Sequence, residues 1–219
     1  MADLPALQVS DIIGALDGVT NSKVDKAGTT KPLIECITSG VLRGAAVILG
    51  SDGGDKRPAA DYAAQVKKLL ANDIIVLAIG YPVSVLTEFF DKSAAAQAGD
   101  GLGRVCALAD IPPVLPLGSL DNIQNVVTIA SALSADSGLA VHQLPLVGLD
   151  LAGVSETDVT LGNTFAGLGV DTFIGVLPEI SVSGLKDGEN AKQTASADLD
   201  ALTDALIADI ETKRAALGV

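Results

Sequence analysis

The feature that most constrains this fold is an alternation, from residue 45 onward, of short apolar runs with amphipathic segments. Runs this short, with no polar residue at every second position, are typical of strands that are buried on both faces of a sheet. Most of the runs are bounded by glycine or proline, which end a strand. The sequence predicts strands at residues 45–50, 73–79, 114–117, 144–147 and 173–176.

The amphipathic segments predict helices between these strands. Apolar residues recur at helical spacing in residues 58–70, around 102–106, from 121 onward, in 159–168 and in 196–218. Asp121 is positioned to cap the helix that follows it. Strands that alternate with helices indicate a mainly parallel sheet with helices on both faces, and right-handed crossovers make this a Rossmann-like, doubly wound α/β domain.

We expect a single domain over residues 1–219, with helices in 1–44, the core βα units in 45–178 and the last helix in 196–218. The first N-terminal helix is predicted from an apolar stripe at helical spacing, formed by Val9, Ile12, Ile13 and Leu16. A second short helix is predicted at residues 32–37. A ligand of such a fold would bind beyond the carboxyl ends of the strands.

The composition is apolar for a chain with no run long enough to span a membrane. Hydrophobic residues make up 48% and the mean hydropathy is +0.45. The 14 basic and 27 acidic residues compare with about 55 charges in an average chain of this length. A surface poor in charge tends to be covered, most often by another copy of the chain, so a homo-oligomer is expected.

The net charge of −13 and the pI of about 4.2 argue against nucleic-acid binding, which needs a basic surface, and against adhesion to anionic lipid. The two cysteines, Cys36 and Cys106, are spaced neither as a disulfide framework nor as a zinc site, and we interpret both as small buried hydrophobic residues. The first sixteen residues lack the basic start of a signal peptide. These observations favour a cytoplasmic protein.

Ordered pieces of the chain, from about residue 8 to the end, resemble a known domain. They include Pro32-Leu-Ile, Ser39-Gly-Val-Leu-Arg-Gly44, Ala46-Val-Ile-Leu-Gly50, Asp73-Ile-Ile-Val-Leu, Ile111-Pro-Pro-Val-Leu, Ser155-Glu156 and Lys213-Arg-Ala-Ala-Leu-Gly218. In order and spacing they resemble the C-terminal Rossmann-like domain of anaerobic nickel-iron-sulfur carbon monoxide dehydrogenase, in the hybrid-cluster protein/carbon monoxide dehydrogenase superfamily. The helical and first Rossmann-like domains of that enzyme have no counterpart in this sequence.

The resemblance implies where metal ligands would be. In the family this domain supplies three cysteines to the cluster, one after each of three strands; the matching positions here are Ser51, Tyr81 and Leu120. The turn before Leu120 is also one residue shorter. The position of the family's acid–base lysine is Thr157. Since nickel and iron in such clusters require thiolates, we expect no cluster, no other cofactor and no carbon monoxide oxidation.

Other candidate sites have competing interpretations. The glycine-rich segment 50–55 is either a phosphate loop or a tight turn with Asp55 as a helix cap; the two aspartates there would repel phosphate, which favours the turn. Four carboxylates at the predicted strand ends could converge on Ca²⁺ or Mg²⁺, or serve as caps and solvated loop residues, which is the simpler interpretation. They are Asp52, Asp55, Asp121 and Asp150.

The remaining candidates are a histidine and two bulky side chains. His142 is the chain's one histidine, and nothing in the sequence aims it at Ser51 or Ser119, so a loop residue is expected rather than a catalytic base. Tyr81 and Leu120 are expected to fill the volume that a cluster would take. A former cluster pocket that is filled by side chains would indicate a domain that was retained for its shape and not for its binding site.

Three functions follow from these expectations. The leading hypothesis is a non-catalytic scaffold that assembles with copies of itself, as a filament, tube or shell. The first alternative is an accessory subunit or binding module of a carbon monoxide dehydrogenase-type complex. The second alternative is a new small-ligand or enzymatic site at the strand ends.

Overall fold

A computed structural model describes residues 31–51, 57–151, 155–176 and 184–217. The apolar stripe predicted at residues 9–16 lies outside these residues, as do Asp52, Asp55 and the phosphate-loop alternative built on them. Everything below concerns the described part of the chain.

Six strands form one sheet in which every neighbouring pair is parallel. They are β1 (Gly44–Leu49), β2 (Ile74–Ala78), β3 (Val114–Pro116), β4 (Leu146–Asp150), β5 (Asp171–Gly175) and β6 (Gln193–Ser196). The strand order is β3-β2-β1-β4-β5-β6. The direction of winding therefore reverses between β1 and β4, which is the place where ligands of doubly wound sheets bind.

Helices connect the strands and cover the sheet. They are α1 (Lys31–Thr38), α2 (Ala59–Ala71), α3 (Tyr81–Val85), α4 (Asp100–Ala109), α5 (Ile123–Ser137), α6 (Glu156–Gly167) and α7 (Leu199–Ala216). Right-handed crossovers place α2 and α4 on one face and α5 and α6 on the other. In addition, α7 packs against α2, and α1 packs against α5.

The predicted fold class is confirmed: an α/β sheet of parallel strands with helices on both faces. The apolar runs become the strands because their side chains are buried on both sides; every residue of β1, β2, β3 and β4 is buried. Both cysteines are buried as expected, Cys36 in α1 and Cys106 in α4. Burial raises the pKa of both thiols, that of Cys106 to about 11.

The sequence analysis missed one strand. β6 reads Gln-Thr-Ala-Ser, with two exposed and two half-buried residues, so it lacks the apolar run that marks the other strands. It lies outside the predicted core range 45–178. Ser196, predicted to begin the last helix, ends β6 instead, and α7 begins after Asp198, whose side chain accepts a hydrogen bond from the Ala201 amide.

Buried polar contacts hold α7 in place. Gln65 of α2 accepts a hydrogen bond of 2.7 Å from the Thr203 hydroxyl. The Lys213 ammonium lies 2.7 Å from the carboxylate of Asp171, at the start of β5, and 2.9 Å from that of Asp209. In the described ranges, no helix is both long enough and apolar enough to cross a membrane.

Candidate functional site

The three positions that the resemblance assigns to cluster ligands lie at one edge of the sheet. Ser51 follows β1, Tyr81 follows β2 and Leu120 follows β3. Backbone hydrogen bonds tie the strand ends together: the Tyr81 amide donates to Gly50 O at 2.9 Å, and the Gly80 amide donates to Gly118 O at 2.8 Å. The structure therefore places the three positions side by side, as expected for the carboxyl ends of adjacent parallel strands.

Gly80 shows how tightly this edge is packed. Its φ is +74°, a conformation that favours glycine. A Cβ added there would overlap the carbonyl oxygen of Gly50 and lie 2.8 Å from Cδ2 of Leu120. The half-buried Leu120 thus packs directly against Gly80, which follows β2.

A buried hydrogen-bond network holds Ser51, which we name the Ser51–Asp158 network. The carboxylate of Asp158 accepts the Ser51 amide at 2.9 Å and the Ser51 hydroxyl at 3.1 Å. The same carboxylate accepts the amide and hydroxyl of Ser155, at 3.1 and 2.6 Å. The two hydroxyl oxygens are 3.0 Å apart. The network joins the end of β1 to the start of α6, across the point where the winding reverses.

Local sequence explains half of this network. Ser155 and Asp158 form a capping box at the start of α6, in which the Ser155 hydroxyl also accepts the Asp158 amide. Asp158 is 2% exposed, so its two oxygens must be satisfied by protein groups, and Ser51 supplies the remaining donors. Thr157, at the predicted acid–base position, is exposed in the same turn.

Two tyrosines lie close to the Ser51–Asp158 network. Tyr62 of α2 is fully buried and Tyr81 is half-buried, with ring centroids 5.8 Å apart in an edge arrangement. Burial raises the pKa of Tyr62 most, and the nearby charge of Asp150 and the groups of Tyr81 and Asp158 raise it further. The Tyr62 hydroxyl makes no hydrogen bond in the described residues. The edge therefore contains a neutral phenol beside buried carboxylates.

Arg57 supplies the positive charge at this edge. It is 7% exposed and donates from Nη2 to the carbonyl of Val176, just after β5. Its Nη1 lies 3.7 Å from the carboxylate of Asp61. The arginine thereby links the start of α2 to the end of β5, and its charge opposes the rise in the pKa of Tyr62.

The predicted cation site is not assembled by the described residues. Asp150 is fully buried at the end of β4, whereas Asp121 is exposed in a 3-10 turn (Leu120–Asn122) after β3. Strands β1 and β2 lie between them, a separation of about 14 Å at the usual strand spacing. These two carboxylates therefore do not meet at a common cation site, an alternative that the sequence left open because the strand order could not be read from it.

One predicted helix cap is wrong. Asn122, not Asp121, precedes α5, and its side chain donates to the carbonyl of Leu117. The other predicted cap, Asp55, lies outside the described residues. Pro58 directly precedes α2, and proline fixes a backbone angle that is compatible with the start of a helix.

His142 lies at the opposite edge of the sheet. It belongs to a 3-10 turn (Val141–Gln143) before β4, and its backbone and Cβ approach Gly169, which precedes β5. Ser51 and Ser119 follow the carboxyl ends of β1 and β3. The histidine is therefore remote from both serines, as the sequence analysis expected.

The residues at this edge do not fit a nickel-iron-sulfur cluster. The predicted ligand positions offer a hydroxyl that is already hydrogen-bonded, a phenol and an aliphatic chain. Both cysteines lie within helices, away from these strand ends. Within the described ranges, no group of three histidine, cysteine or acidic side chains is arranged to hold a metal ion. That these positions correspond to cluster ligands stays a prediction.

A profile of the Prismane/CO dehydrogenase family matches residues 8–186. The chain belongs to this family. Curated relatives include carbon monoxide dehydrogenase 1 of Methanosarcina mazei, 30% identical over 203 residues, and its namesake in Methanosarcina acetivorans, 31% identical over 203 residues. Each alignment covers 88% of this chain but 32% of the relative. Carbon monoxide dehydrogenase 2 of Carboxydothermus hydrogenoformans is 26% identical and aligns with 99% of this chain.

Solved structures agree with this assignment. The nickel-free carbon monoxide dehydrogenase of Thermococcus sp. AM4 superposes on 97% of this chain with a TM-score of 0.82 and 25% identity. Carbon monoxide dehydrogenase IV of Carboxydothermus hydrogenoformans has the same fold, with a TM-score of 0.82. The chain spans about a third of the length of these family members.

Sequence reasoning missed the two charged residues that organise this edge. Asp158 carries a recognisable signal, because Ser155-Glu-Thr-Asp158 has the spacing of a capping box before an amphipathic segment. Arg57 carries none, since it precedes a proline in a glycine-rich loop, where an arginine is ordinarily solvated. Its burial depends on the carbonyl of Val176, which is 119 residues away in the chain.

Proposed function

We propose that this chain is a cluster-free, non-catalytic member of the Prismane/CO dehydrogenase family that acts as a structural domain and assembles with copies of itself. The observation that carries the first half is the state of the carboxyl edge. The three positions that the resemblance assigns to cluster ligands carry no thiol, Ser51 is hydrogen-bonded to Asp158, and Leu120 packs against Gly80.

The Ser51–Asp158 network supports this proposal in energetic terms. A thiolate at position 51 would place a second negative charge against the Asp158 carboxylate in a buried setting, which is unfavourable. As a hydroxyl, Ser51 donates to that carboxylate. The residue and its partner thus suit each other as a neutral donor and a charged acceptor, not as metal ligands.

Anaerobic reconstitution tests the absence of a cluster. The purified chain is incubated with ferrous iron, sulfide and nickel, desalted, and analysed for bound metal and for visible absorbance, with a full-length family member as the positive control. We expect the control to turn brown and this chain to retain well under one metal ion per molecule. Stoichiometric iron or nickel would overturn the proposal.

The composition supports the self-assembly half of the proposal. Charged residues are 19% of the chain, against about 25% in an average soluble domain. In the described part, Leu108 is the large hydrophobic side chain that is exposed, at 65%. A chain with fewer charges than average has less charge to desolvate when two copies meet, and this lowers the cost of contact between copies.

Light scattering coupled to size-exclusion chromatography tests self-assembly. We expect a mass of several times 22.0 kDa at tens of micromolar and discrete particles in negative-stain images. Reversing one surface charge, for example Asp200→Lys, serves to probe whether a given face is in contact. A monodisperse monomer would refute the assembly role and leave the cluster-free assignment standing.

A second function is favoured by the coverage of the relatives. Because the chain matches one third of carbon monoxide dehydrogenases, an accessory subunit that docks on a larger protein of this kind is the alternative. Affinity purification from the source cell distinguishes the two roles. Recovery with an iron-sulfur partner at a fixed ratio supports the accessory role, and recovery of this chain alone as an oligomer supports the structural one.

A further inference from the structure

The edge of the sheet opposite the candidate site contains an apolar cavity of about 330 Å³. Its wall is formed by α1, the C-terminal half of α5, the chain before β4 and the last residues of α7. The aliphatic side chains that line it include Leu33, Ile37, Leu133, Leu144, Leu146 and Leu217. We name this space the amino-edge cavity. An apolar cavity of about 150 Å³ already holds a benzene molecule, so this one has room for two or three aliphatic side chains.

The wall offers almost nothing to orient a polar ligand. The hydroxyls in its lining belong to Thr38 and Ser137. Each is already committed to a backbone carbonyl within its own helix, that of Thr38 to Glu35 at 3.3 Å and that of Ser137 to Leu133 at 2.6 Å. Specific small-molecule sites combine apolar walls with a few free polar groups. This lining instead suits a purely aliphatic occupant, such as one face of an amphipathic helix.

We propose that the apolar stripe of the same chain, formed by Val9, Ile12, Ile13 and Leu16, occupies the amino-edge cavity. Leu33 and Ile34, in the first turn of α1, line the cavity. The start of α1 therefore lies at the wall of the cavity. The 14 residues between Leu16 and Lys31 span up to about 46 Å when extended, so reach imposes no restriction.

The family match supports an occupant from the same chain over one from a partner. It begins at residue 8, at the start of the stripe, and continues through the sheet. The stripe is therefore part of the unit that the family shares. Its four aliphatic side chains recur at the spacing of one helix face, which complements a cavity lined by aliphatic side chains.

Two full-length variants test this inference. Ile12→Asp places a carboxylate in the stripe. The matched control Ser10→Asp adds the same charge about 110° from the centre of the stripe on a helical projection. We expect the first variant to increase the fluorescence of a dye that binds apolar cavities at least three-fold and the control to leave it unchanged. A synthetic peptide of residues 6–18 should compete with the dye and reverse the increase. If the variant had simply unfolded, the peptide would not lower the fluorescence.

Disulfide trapping identifies the occupant directly. In the pair Ile13→Cys with Ser137→Cys, mild oxidation should give a disulfide within one chain, and the pair Ser10→Cys with Ser137→Cys should give much less. A disulfide that joins two chains would overturn the inference in favour of a second copy. Equal dye binding by both aspartate variants, or no disulfide in either pair, would also overturn it. None of these outcomes depends on the proposed absence of a cluster or on self-assembly.

Discussion

The hydroxyl of Ser51 lies 3.1 Å from Oδ2 of Asp158, although 107 residues separate the two in the chain. This contact joins the first strand of the sheet to the helix after the fourth. It crosses the point where the winding direction reverses, which is where an open α/β sheet would otherwise have a crevice. One carboxylate therefore links the end of β1 to the start of α6 at this edge.

Removing that carboxylate should be costly. In Asp158→Ala, the amides and hydroxyls of Ser51 and Ser155 lose their shared acceptor in a buried setting, and we expect a loss of about 3 kcal/mol in the free energy of unfolding. Urea denaturation measures it. Glu156→Ala removes an exposed carboxylate from the same helical turn and should cost under about 1 kcal/mol. Equal losses in the two variants would mean that the network does not stabilise the fold.

Glycine at position 80 should tolerate no side chain. Gly138 (φ +73°, ψ 11°) is in the left-handed helical region, and a Cβ there would meet nothing within 4 Å. Gly138→Ala should therefore cost about 1 kcal/mol for backbone strain alone. Gly80 has nearly the same φ, +74°, but a ψ of −136°, which side chains rarely adopt. Gly80→Ala should cost about 2 kcal/mol more, because its backbone conformation is more strained and because its Cβ overlaps Gly50 O and crowds Leu120. Thermal unfolding of the pair gives this difference directly, and similar melting temperatures would contradict the packing of that edge.

The buried hydroxyl of Tyr62 should be dispensable for stability. Because it makes no hydrogen bond in the described residues, Tyr62→Phe removes an unsatisfied polar group and should stabilise the protein by about 1 kcal/mol. Tyr62→Ala removes the ring as well and should destabilise it by about 4 kcal/mol. Chemical denaturation of both variants checks the prediction. A loss of stability in the phenylalanine variant would reveal a partner for the hydroxyl.

Stability should fall at alkaline pH through Cys106. Its pKa rises from an ordinary 9.0 to about 11 on folding, because burial disfavours the thiolate. Between these values the unfolded chain has lost the proton that the folded chain retains, so the free energy of unfolding decreases as the pH rises. Urea denaturation at pH 8, 9 and 10 should show a shallower decline for Cys106→Ala than for the natural chain. Parallel declines would show that this thiol does not couple to folding.

Much of the fold follows from local pattern. Strands such as β1 and β2 are apolar runs that are followed closely by a glycine, and their burial on both faces leaves few alternatives to a parallel sheet. The order of the strands does not follow, since it depends on contacts between distant segments. That is why the sequence left open a meeting of Asp121 and Asp150, which β1 and β2 keep apart.

The candidate site was predictable to a similar degree. Placing Ser51, Tyr81 and Leu120 at one edge required only that each follow a parallel strand. The role of Asp158 in capping α6 could have been predicted from the capping-box spacing. Its contact with Ser51 could not, because it depends on how α6 packs against the end of β1. The burial of Arg57 was not predictable, because nothing in the neighbouring sequence indicates that the carbonyl of Val176, just after β5, would accept its hydrogen bond.

The outer strand β6 limits how this protein can join its neighbours. It is four residues long, and two of its side chains are exposed. The Gln193 amide points away from β5 and donates a hydrogen bond of 2.8 Å to the carboxylate of Asp187. A lateral strand added by another molecule would find few backbone groups to pair with at this side. Growth into a continuous intermolecular β-structure is thereby discouraged, and contacts on the β6 side of the sheet are left to helical surfaces and loops.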